Sequence, residues 1–219
     1  MSPEPPVVRI DDVRHRSTGS VAMLSIDGTA HELALAVLGD AAVERAVGIL
    51  TAALAAGDGL EIALAAAAAL EPEPGRLALR RAASGALLID DAAAATPVEA
   101  RAALRVLADI ARDRRRSFAV MGELDTSAAD WFDEHDALGR IVVRLDVSQL
   151  IVIGHGARHL HNAAGLEGSW DGESVLVDTP DDAYDVLRAR LDPEDVVLVT
   201  AGARTALGDL VDRLVAGDA

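Results

Sequence analysis

Apolar and polar positions alternate along the first part of the chain and predict a small α+β segment. Residues 7–13 indicate a strand, and the alternation continues on both sides of Asp27 and Gly28. An Asp-Gly pair between two alternating runs is a strong signal for a tight turn, so this stretch predicts a β-hairpin. Helical periodicity follows over residues 41–56, which end at Gly57, and over about residues 60–70.

Further along, continuous apolar runs alternate with helical segments. The predicted strands are residues 77–80, 86–90, 117–121, 150–153, 174–177 and 196–200, and the predicted helices are 97–112, about 133–145, 157–163, 180–191 and 205–215. Apolar strands separated by helices indicate a mostly parallel sheet that is covered on both faces. We therefore predict an α/β fold with a Rossmann-like sheet, preceded by the small α+β segment.

Proline and glycine divide the chain into candidate domains. The segment E-P-E-P-G at residues 71–75 is a short rigid linker. We predict a disordered tail at residues 1–6, a hairpin-plus-helices segment at 7–74 and an α/β domain at 75–219. The tail lacks the basic and apolar regions of a signal peptide, and no apolar run is long enough to span a bilayer, so we expect a cytoplasmic protein.

Composition excludes several classes of function. The chain has no cysteine, which rules out disulfides and thiolate metal sites. Its formal net charge is −16, whereas nucleic-acid binding needs a basic surface. The one basic run, residues 112–116, is interpreted as a solvated helix end. We expect no nucleic-acid partner and no membrane partner.

Ligands of open α/β sheets bind where the strands end, and five such ends carry candidate chemistry. They are D-D-A-A-A-A-T-P at 90–97, M-G-E-L-D-T-S at 121–127, I-G-H-G-A-R-H-L-H at 153–161, V-D-T-P-D-D at 177–182 and V-T-A-G-A-R-T at 199–205. None of these is a Walker loop or a dinucleotide fingerprint. Asp90 and Asp91 could contact a ribose or a phosphate-bound magnesium, or could simply form a turn at the strand end.

Three histidines lie close together in the sequence. His155 and His159 are about one helical turn apart, a spacing that can bind zinc, and His161 follows. The alternative is a polar loop leading into a helix. No third ligand is evident, and we predict no metal site.

Several motifs resemble the C-terminal part of the Mur ligases, of the MurF type and in its actinobacterial form. They are P-G-R at residues 74–76, L-L-I-D-D at 87–91, T-P-V-E-A-R-A-A-L-R-V-L-A at 96–108, R-R-S-F-A-V-M-G-E-L at 115–124, E-H-D-A-L-G-R-I-V-V-R-L-D-V-S at 134–148, L-E-G-S-W at 166–170 and D-P-E-D-V-V-L-V at 192–199. Residues 7–70 are less closely similar to the end of that family's central ATPase domain.

The resemblance implies a reaction in which ATP phosphorylates a UDP-muramoyl-peptide carboxylate and an amine then attacks the acyl-phosphate. The family's nucleotide-contact motifs are altered in this chain. Its G-x-H-N-x-x-N is matched by Ala41, Ala42 and Arg45, and its D-D-x-Y-N-A-N-P has Ala93, Ala94 and Thr96 in place of Tyr, Asn and Asn. Thr200 replaces the lysine of V-K-[GA]-S, and no P-loop sequence is present.

Other positions of the family pattern are retained. The resemblance implies residual nucleotide or ligand contacts at Arg76, Asp90 and Asp91, and substrate contacts at Glu123, His135, Thr200 and Arg204. It implies no catalytic residue in this chain. Arg76 and Asp91 could instead form a salt bridge at a domain hinge.

Three hypotheses follow. The first is a MurF-like pseudoenzyme that binds a partner or a small ligand and requires no cofactor. The second is the acceptor-domain subunit of a split ligase that adds D-Ala-D-Ala or another amine, using ATP and magnesium with a partner that supplies the P-loop. The third is an unrelated enzyme that reuses the cleft. An exposed sheet edge in residues 7–70 predicts a homodimer or a Mur-ligase-type protein partner.

Overall fold

A computed structural model describes residues 7–93, 95–112, 116–167 and 173–217. The chain forms two compact units, which divide between Pro72 and Glu73. Each unit has its own hydrophobic core. In the described part of the chain, no helix combines the length and the apolar character needed to cross a bilayer.

The first unit is a three-stranded antiparallel sheet with two helices. Its elements are β1 (Val8–Arg16), β2 (Gly19–Ile26), β3 (Thr29–Leu35), α1 (Asp40–Ala55) and α2 (Leu60–Ala68), and the strands lie in the order β1-β2-β3. The predicted hairpin is present: Asp27 and Gly28 both have positive φ, 48° and 83°, as a tight turn between twisted strands requires. Buried side chains of β2, β3 and both helices form one core, which includes Leu24, Val43 and Leu50.

Strand β1 continues three residues beyond its predicted end. Its pairing with β2 is interrupted by a register shift between Ile10 and Asp12, and its exposed face carries Arg9–Asp11 and Arg14–Asp12 ion pairs. An edge strand tolerates these charges because its side chains face water. Bulges and charges also discourage pairing with another chain, so β1 is a poor edge for the predicted dimer.

The second unit confirms the predicted α/β class. Its strands are β4 (Ala78–Arg81), β5 (Leu87–Asp91), β6 (Ser117–Met121), β7 (Gln149–Ile153), β8 (Ser174–Val177) and β9 (Val196–Thr200), in the sheet order β4-β5-β9-β6-β7-β8. Only β4 is antiparallel to its neighbour among these strands. The helices are α3 (Pro97–Ala111), α4 (Trp131–Arg144), α5 (Arg158–Leu166), α6 (Pro180–Arg190) and α7 (Gly208–Ala216), with a 3-10 turn at His155–Ala157.

Local sequence signals position two of these helices accurately. The Thr96 hydroxyl caps α3 by accepting the Glu99 N–H, the Glu99 carboxylate accepts the Thr96 N–H in return, and Pro97 occupies the first turn. Thr179 and Asp182 form the same reciprocal cap at α6. Helix α7 begins three residues later than predicted.

The basic run at residues 112–116 lies only partly within the described residues. Arg112 forms an exposed ion pair with Asp109, whereas residues 113–115 are not described. Arg116 is not simply solvated: its guanidinium donates to both oxygens of Asp195, at 2.9 and 2.6 Å. Asp195 is 2 % exposed, so this bidentate contact joins the start of β6 to the turn before β9.

Helices α4 and α5 approach closely at Gly139. A Cβ atom at that position would lie 2.3 Å from the carbonyl oxygen of Leu160. We expect Gly139→Ala to destabilise the second unit by about 3 kcal/mol, because backbone atoms of α5 would have to move. Gly165 in α5 has nothing near its missing Cβ, so Gly165→Ala should instead stabilise by about 0.5–1 kcal/mol through helix propensity. Denaturant unfolding of both variants measures the contrast, and a Gly139→Ala change as mild as Gly165→Ala would contradict it.

Candidate functional site

The carboxyl ends of β5, β9 and β6 lie side by side at one edge of the sheet of the second unit. The chain leaves β6 through Gly122, Glu123, Leu124 and Asp125, and leaves β9 through residues 201–204. This is the edge at which open α/β sheets bind ligands. The predicted location of the site is therefore formed by neighbouring loops.

Backbone hydrogen bonds join these three loops directly. The Ala95 N–H donates to the Ala201 carbonyl at 2.8 Å, and the Asp125 N–H donates to the Ala95 carbonyl at 3.0 Å. The Gly202 N–H donates to the Glu123 carbonyl at 2.8 Å. A Cβ at Gly202 would lie 2.5 Å from the Asp125 nitrogen, so only glycine permits this approach. The turn that these bonds stabilise occupies the residues after β9 and explains the late start of α7.

An open groove of ≈ 360 Å³ lies over the joined loops. Its lining residues are Leu124, Asp125, Thr126, Ser127 and Arg204. An adjacent depression of ≈ 320 Å³ shares Thr126 and Arg204, and adds Glu123, Ala128 and Trp131. We call these two hollows together the Arg204 groove.

Charge in the Arg204 groove is organised around one exposed cation. The Arg204 side chain is 77 % exposed and its guanidinium donates to the Glu123 carboxylate at 3.3 Å. Glu123 also packs against Gly156, where a Cβ would lie 2.2 Å from a carboxylate oxygen. The Asp125 carboxylate accepts the Ala203 N–H at 2.9 Å. The groove thus presents a guanidinium flanked by two carboxylates that are already bonded to the protein.

Trp131 forms one side of the groove and belongs to a cluster of rings that the sequence patterns did not indicate. The His159 ring packs edge-on against Trp131 and Phe132, with ring centres 4.9 and 4.5 Å apart, and the Arg158 guanidinium lies 5.3 Å from the Trp131 ring centre. Phe132 is 51 % exposed. Aromatic residues make up only 2 % of the sequence. The adjacent residues Trp131 and Phe132 were therefore a signal that the sequence patterns offered and that was missed.

Asp91 is the last residue of β5, and it is 8 % exposed. The Thr200 hydroxyl donates to its carboxylate at 2.9 Å, and the Leu77 N–H also donates to it. Burial outweighs both donors and raises the pKa of Asp91 to about 7. Thr200 is fully buried, so its hydroxyl serves Asp91 beneath the groove surface.

Asp90 and Arg76 form their hydrogen bonds and ion pairs with residues other than Asp91. The Asp90 carboxylate accepts the Ala92 N–H at 3.3 Å, which is the predicted strand-end turn, and it lies 3.8 Å from the Arg80 guanidinium. Arg76 donates to Glu99 at 3.3 Å rather than to Asp91. The predicted pair of Arg76 with Asp91 is therefore replaced by an Arg76–Glu99 pair.

His135 lies beneath the Arg204 groove and contacts two residues that line it. It is fully buried, and its Nε2 atom accepts the Leu124 N–H at 3.1 Å while its Nδ1 atom lies 2.7 Å from the Trp131 carbonyl. These contacts require a neutral ring with the proton on Nδ1. Burial lowers the pKa of His135 accordingly.

The three clustered histidines do not converge. His155 is exposed, His159 packs between the aromatic rings, and His161 lies 2.7 Å from the Ser174 hydroxyl. No group of three histidine, aspartate or glutamate side chains in the described ranges is arranged to hold a metal ion.

Some of the positions at which this chain differs from the family motifs form hydrogen bonds within the protein. The Ala93 N–H donates to the Gly75 carbonyl at 3.0 Å, and the Thr96 hydroxyl is committed to the cap of α3. Ala94 lies outside the described residues. In the first unit, Ala42 is buried at the start of α1 and Ala41 is exposed.

Comparison with known proteins identifies the family. The sequence profile described as "Mur ligase, glutamate ligase domain" matches residues 75–203, more than half of the chain. The chain belongs to the Mur ligases.

Individual relatives agree with this membership. UDP-N-acetylmuramoyl-tripeptide–D-alanyl-D-alanine ligases of Mycobacterium leprae and Mycobacterium tuberculosis are each 40 % identical over 85 % of this chain. These alignments cover 39 % and 40 % of the two relatives, so this Mur ligase family member spans about two fifths of their length. The predicted resemblance to the MurF type is thus confirmed.

Solved structures share the fold. MurF from Acinetobacter baumannii has a TM-score of 0.76 at 22 % identity, covering 96 % of this chain and 45 % of that chain. MurF from Thermotoga maritima, solved with ADP, has a TM-score of 0.77 at 18 % identity, covering 94 % of this chain and 45 % of that chain.

Proposed function

We propose that this MurF-like chain binds a small ligand or a protein partner and does not by itself carry out ATP-dependent ligation. The Arg204 groove is the proposed binding site. The supporting observation concerns the described positions of the second unit at which this chain departs from the family pattern. A hydrogen-bonding group of each is already bonded to a partner inside the domain; the positions are Ala93, Thr96 and Thr200. A nucleotide phosphate needs free donors at such positions.

The ligand we propose for the groove is the acceptor dipeptide in the relatives' name, D-alanyl-D-alanine. Its carboxylate matches the exposed guanidinium of Arg204, and its ammonium group matches the carboxylates of Glu123 and Asp125. Arg76, Asp90 and Asp91 each have a separate partner within the fold, so we propose no required cofactor.

A second candidate is an acceptor-binding subunit of a split ligase. The exposure of Arg204 favours it, because a retained acceptor groove is what such a subunit needs. ATP and magnesium would then be bound by the partner that supplies the P-loop.

The two candidates are separated by a ligation assay. The purified chain is incubated with ATP, magnesium, UDP-N-acetylmuramoyl-tripeptide and D-alanyl-D-alanine, and ADP and the joined product are measured. We expect neither above the blank. Ligation by the chain alone would refute the proposal, and ligation that requires both this chain and an added P-loop protein would support the second candidate.

Arg204→Gln tests the groove directly. We expect D-alanyl-D-alanine to bind about tenfold more weakly, because a charge-assisted hydrogen bond to its carboxylate is lost. Trp131 lines the groove and reports binding by fluorescence in a Trp170→Phe background. Arg105→Gln, an exposed change on α3, should leave the affinity unchanged. Equal affinities of the Arg204 and Arg105 variants would remove the groove from consideration.

A further inference from the structure

A tight turn after β9 carries Arg204, the exposed cation of the Arg204 groove. The Thr205 N–H donates to the Gly202 carbonyl at 3.1 Å, which closes a β-turn of four residues. Ala203 and Arg204 occupy the two central positions of this turn. The contacts that fix the turn therefore fix the direction in which the Arg204 side chain leaves the backbone.

Asp125, in the loop after β6, is bonded to this turn through its side chain. Its Oδ2 atom accepts the Ala203 N–H at 2.9 Å. Its Oδ1 atom would lie 2.6 Å from a Cβ atom at Gly202, so it packs directly against the first residue of the turn. A hydrogen bond from a backbone N–H to a carboxylate is roughly twice as strong as one between neutral groups. The two oxygens of Asp125 thus contact two consecutive residues of the turn.

The backbone of Asp125 is held as well. Its N–H donates to the Ala95 carbonyl at 3.0 Å, in the loop after β5, and the Ala95 N–H donates to the Ala201 carbonyl just before the turn. Asp125 is thus the residue at which the loops after β5, β6 and β9 meet. A side chain can restrain a turn only if its own backbone is restrained, and the bond to Ala95 provides that restraint.

Glu123 contacts the turn at other atoms. Its carbonyl accepts the Gly202 N–H at 2.8 Å, and its carboxylate pairs with the Arg204 guanidinium at 3.3 Å. Because the Arg204 side chain is 77 % exposed, this ion pair restrains the guanidinium only weakly. The bond between Ala203 and Asp125 restrains the backbone immediately before Arg204, which an ion pair at the end of the side chain does not do.

We propose that Asp125 is a positioning residue, which holds the turn so that the Arg204 guanidinium faces the carboxylate of the bound ligand. This role rests on the proposed binding of D-alanyl-D-alanine in the Arg204 groove. A group that is ordered before binding loses little conformational freedom when the ligand arrives. Release of the turn from Asp125 should therefore weaken the affinity by about three- to tenfold.

Asp125→Asn and Asp125→Ala separate positioning from a direct contact with the ligand. Both remove the charge that can pair with the ligand's ammonium group, but only asparagine keeps an oxygen for the Ala203 N–H. We expect D-alanyl-D-alanine to bind about three- to tenfold more weakly to the alanine variant than to the asparagine variant, as Trp131 fluorescence measures it. In an Arg204→Gln background this difference should fall below about twofold, because Asp125 acts through Arg204.

A measurement without ligand tests the same role independently of the dipeptide. Backbone ¹⁵N relaxation of Ala203 and Arg204 should show a rigid turn in the unmodified chain and in Asp125→Asn, and nanosecond motion in Asp125→Ala. Asp133→Ala is the matched control, since it removes an exposed acid of α4 that is not among the lining residues of the groove. It should leave the relaxation and the affinity unchanged.

The two measurements distinguish failure of this role from failure of the proposed function. If the unmodified chain does not bind the dipeptide, the proposed function is wrong, and the relaxation alone tests Asp125. A turn that is as rigid in Asp125→Ala as in the unmodified chain would overturn the positioning role in either case. If the dipeptide binds, equal affinities of the asparagine and alanine variants would also overturn it, as would a difference that persists in the Arg204→Gln background.

Discussion

Replacing Asp91 by asparagine will stabilise the second unit at pH 8, by up to about 4 kcal/mol, and will have little effect near pH 3. The reason is burial: the pKa of Asp91 is raised from 3.8 to about 7 in the folded protein. The folded state therefore holds the proton more tightly than the unfolded state does. Stability from this group is complete below about pH 4 and is lost as pH rises toward 7.

Asparagine removes the charge and keeps an oxygen that can accept the Thr200 hydroxyl. The asparagine side chain has one oxygen in place of two, so it does not also accept the Leu77 N–H. The increase in the free energy of unfolding should therefore be smaller than the full electrostatic value by about 1 kcal/mol. Both tryptophans lie in the second unit, so urea unfolding followed by their fluorescence at pH 3, 6 and 8 measures the effect. Subtracting the free energy of unfolding of the unmodified protein from that of the variant at each pH cancels the contribution of the carboxylates that both proteins share.

Thr200→Val provides the matched test of the same charge. It removes the donor to Asp91 with little change in volume, so it should destabilise the protein more at pH 8 than at pH 3. If Asp91→Asn changes stability equally at every pH, desolvation of the carboxylate is not the cause. Unchanged binding of D-alanyl-D-alanine by the stabilised Asp91→Asn variant would also indicate that this acid serves the fold.

Replacing His135 by alanine should cost about 3–5 kcal/mol, among the largest losses in this chain. The ring is fully buried, and its removal leaves a void, deprives the Leu124 N–H of its acceptor and removes one donor to the Trp131 carbonyl. Because both partners line the Arg204 groove, affinity for D-alanyl-D-alanine should fall as well. Chemical denaturation and the Trp131 fluorescence titration measure the two effects.

The control for His135 is His155→Ala. His155 is exposed, so its replacement should change stability by less than about 0.5 kcal/mol. The pH dependence has a defined sign too. Burial lowers the pKa of His135, so the stability it contributes is present above about pH 6.5 and is lost as pH falls. A His135→Ala variant as stable as His155→Ala would contradict the buried contacts.

The sequence predicted where the strands of the candidate site end better than it predicted which way their polar side chains face. Strand ends at Asp91, Met121 and Thr200 were predictable because apolar runs stop there and turn-forming residues begin. The burial of Thr200 and His135 was not predictable, since a polar residue near a strand or helix end gives no indication of which side it faces. Their roles come from partners at Asp91 and Leu124, which are 109 and 11 residues away along the chain.

The amino-acid sequence by itself determined the α/β class, the first residues of α3 and α6, the tight turn at Asp27 and Gly28, and membership of the Mur ligases. These depend on periodicity, on local hydrogen bonding and on colinear motifs, all of which are short-range properties of the chain. Only the tertiary structure decided the antiparallel addition of β4, the joining of the three site loops and the pairing of Arg76 with Glu99. It also decided that the histidines stay apart. Those outcomes depend on contacts between distant segments, whose packing no local pattern specifies.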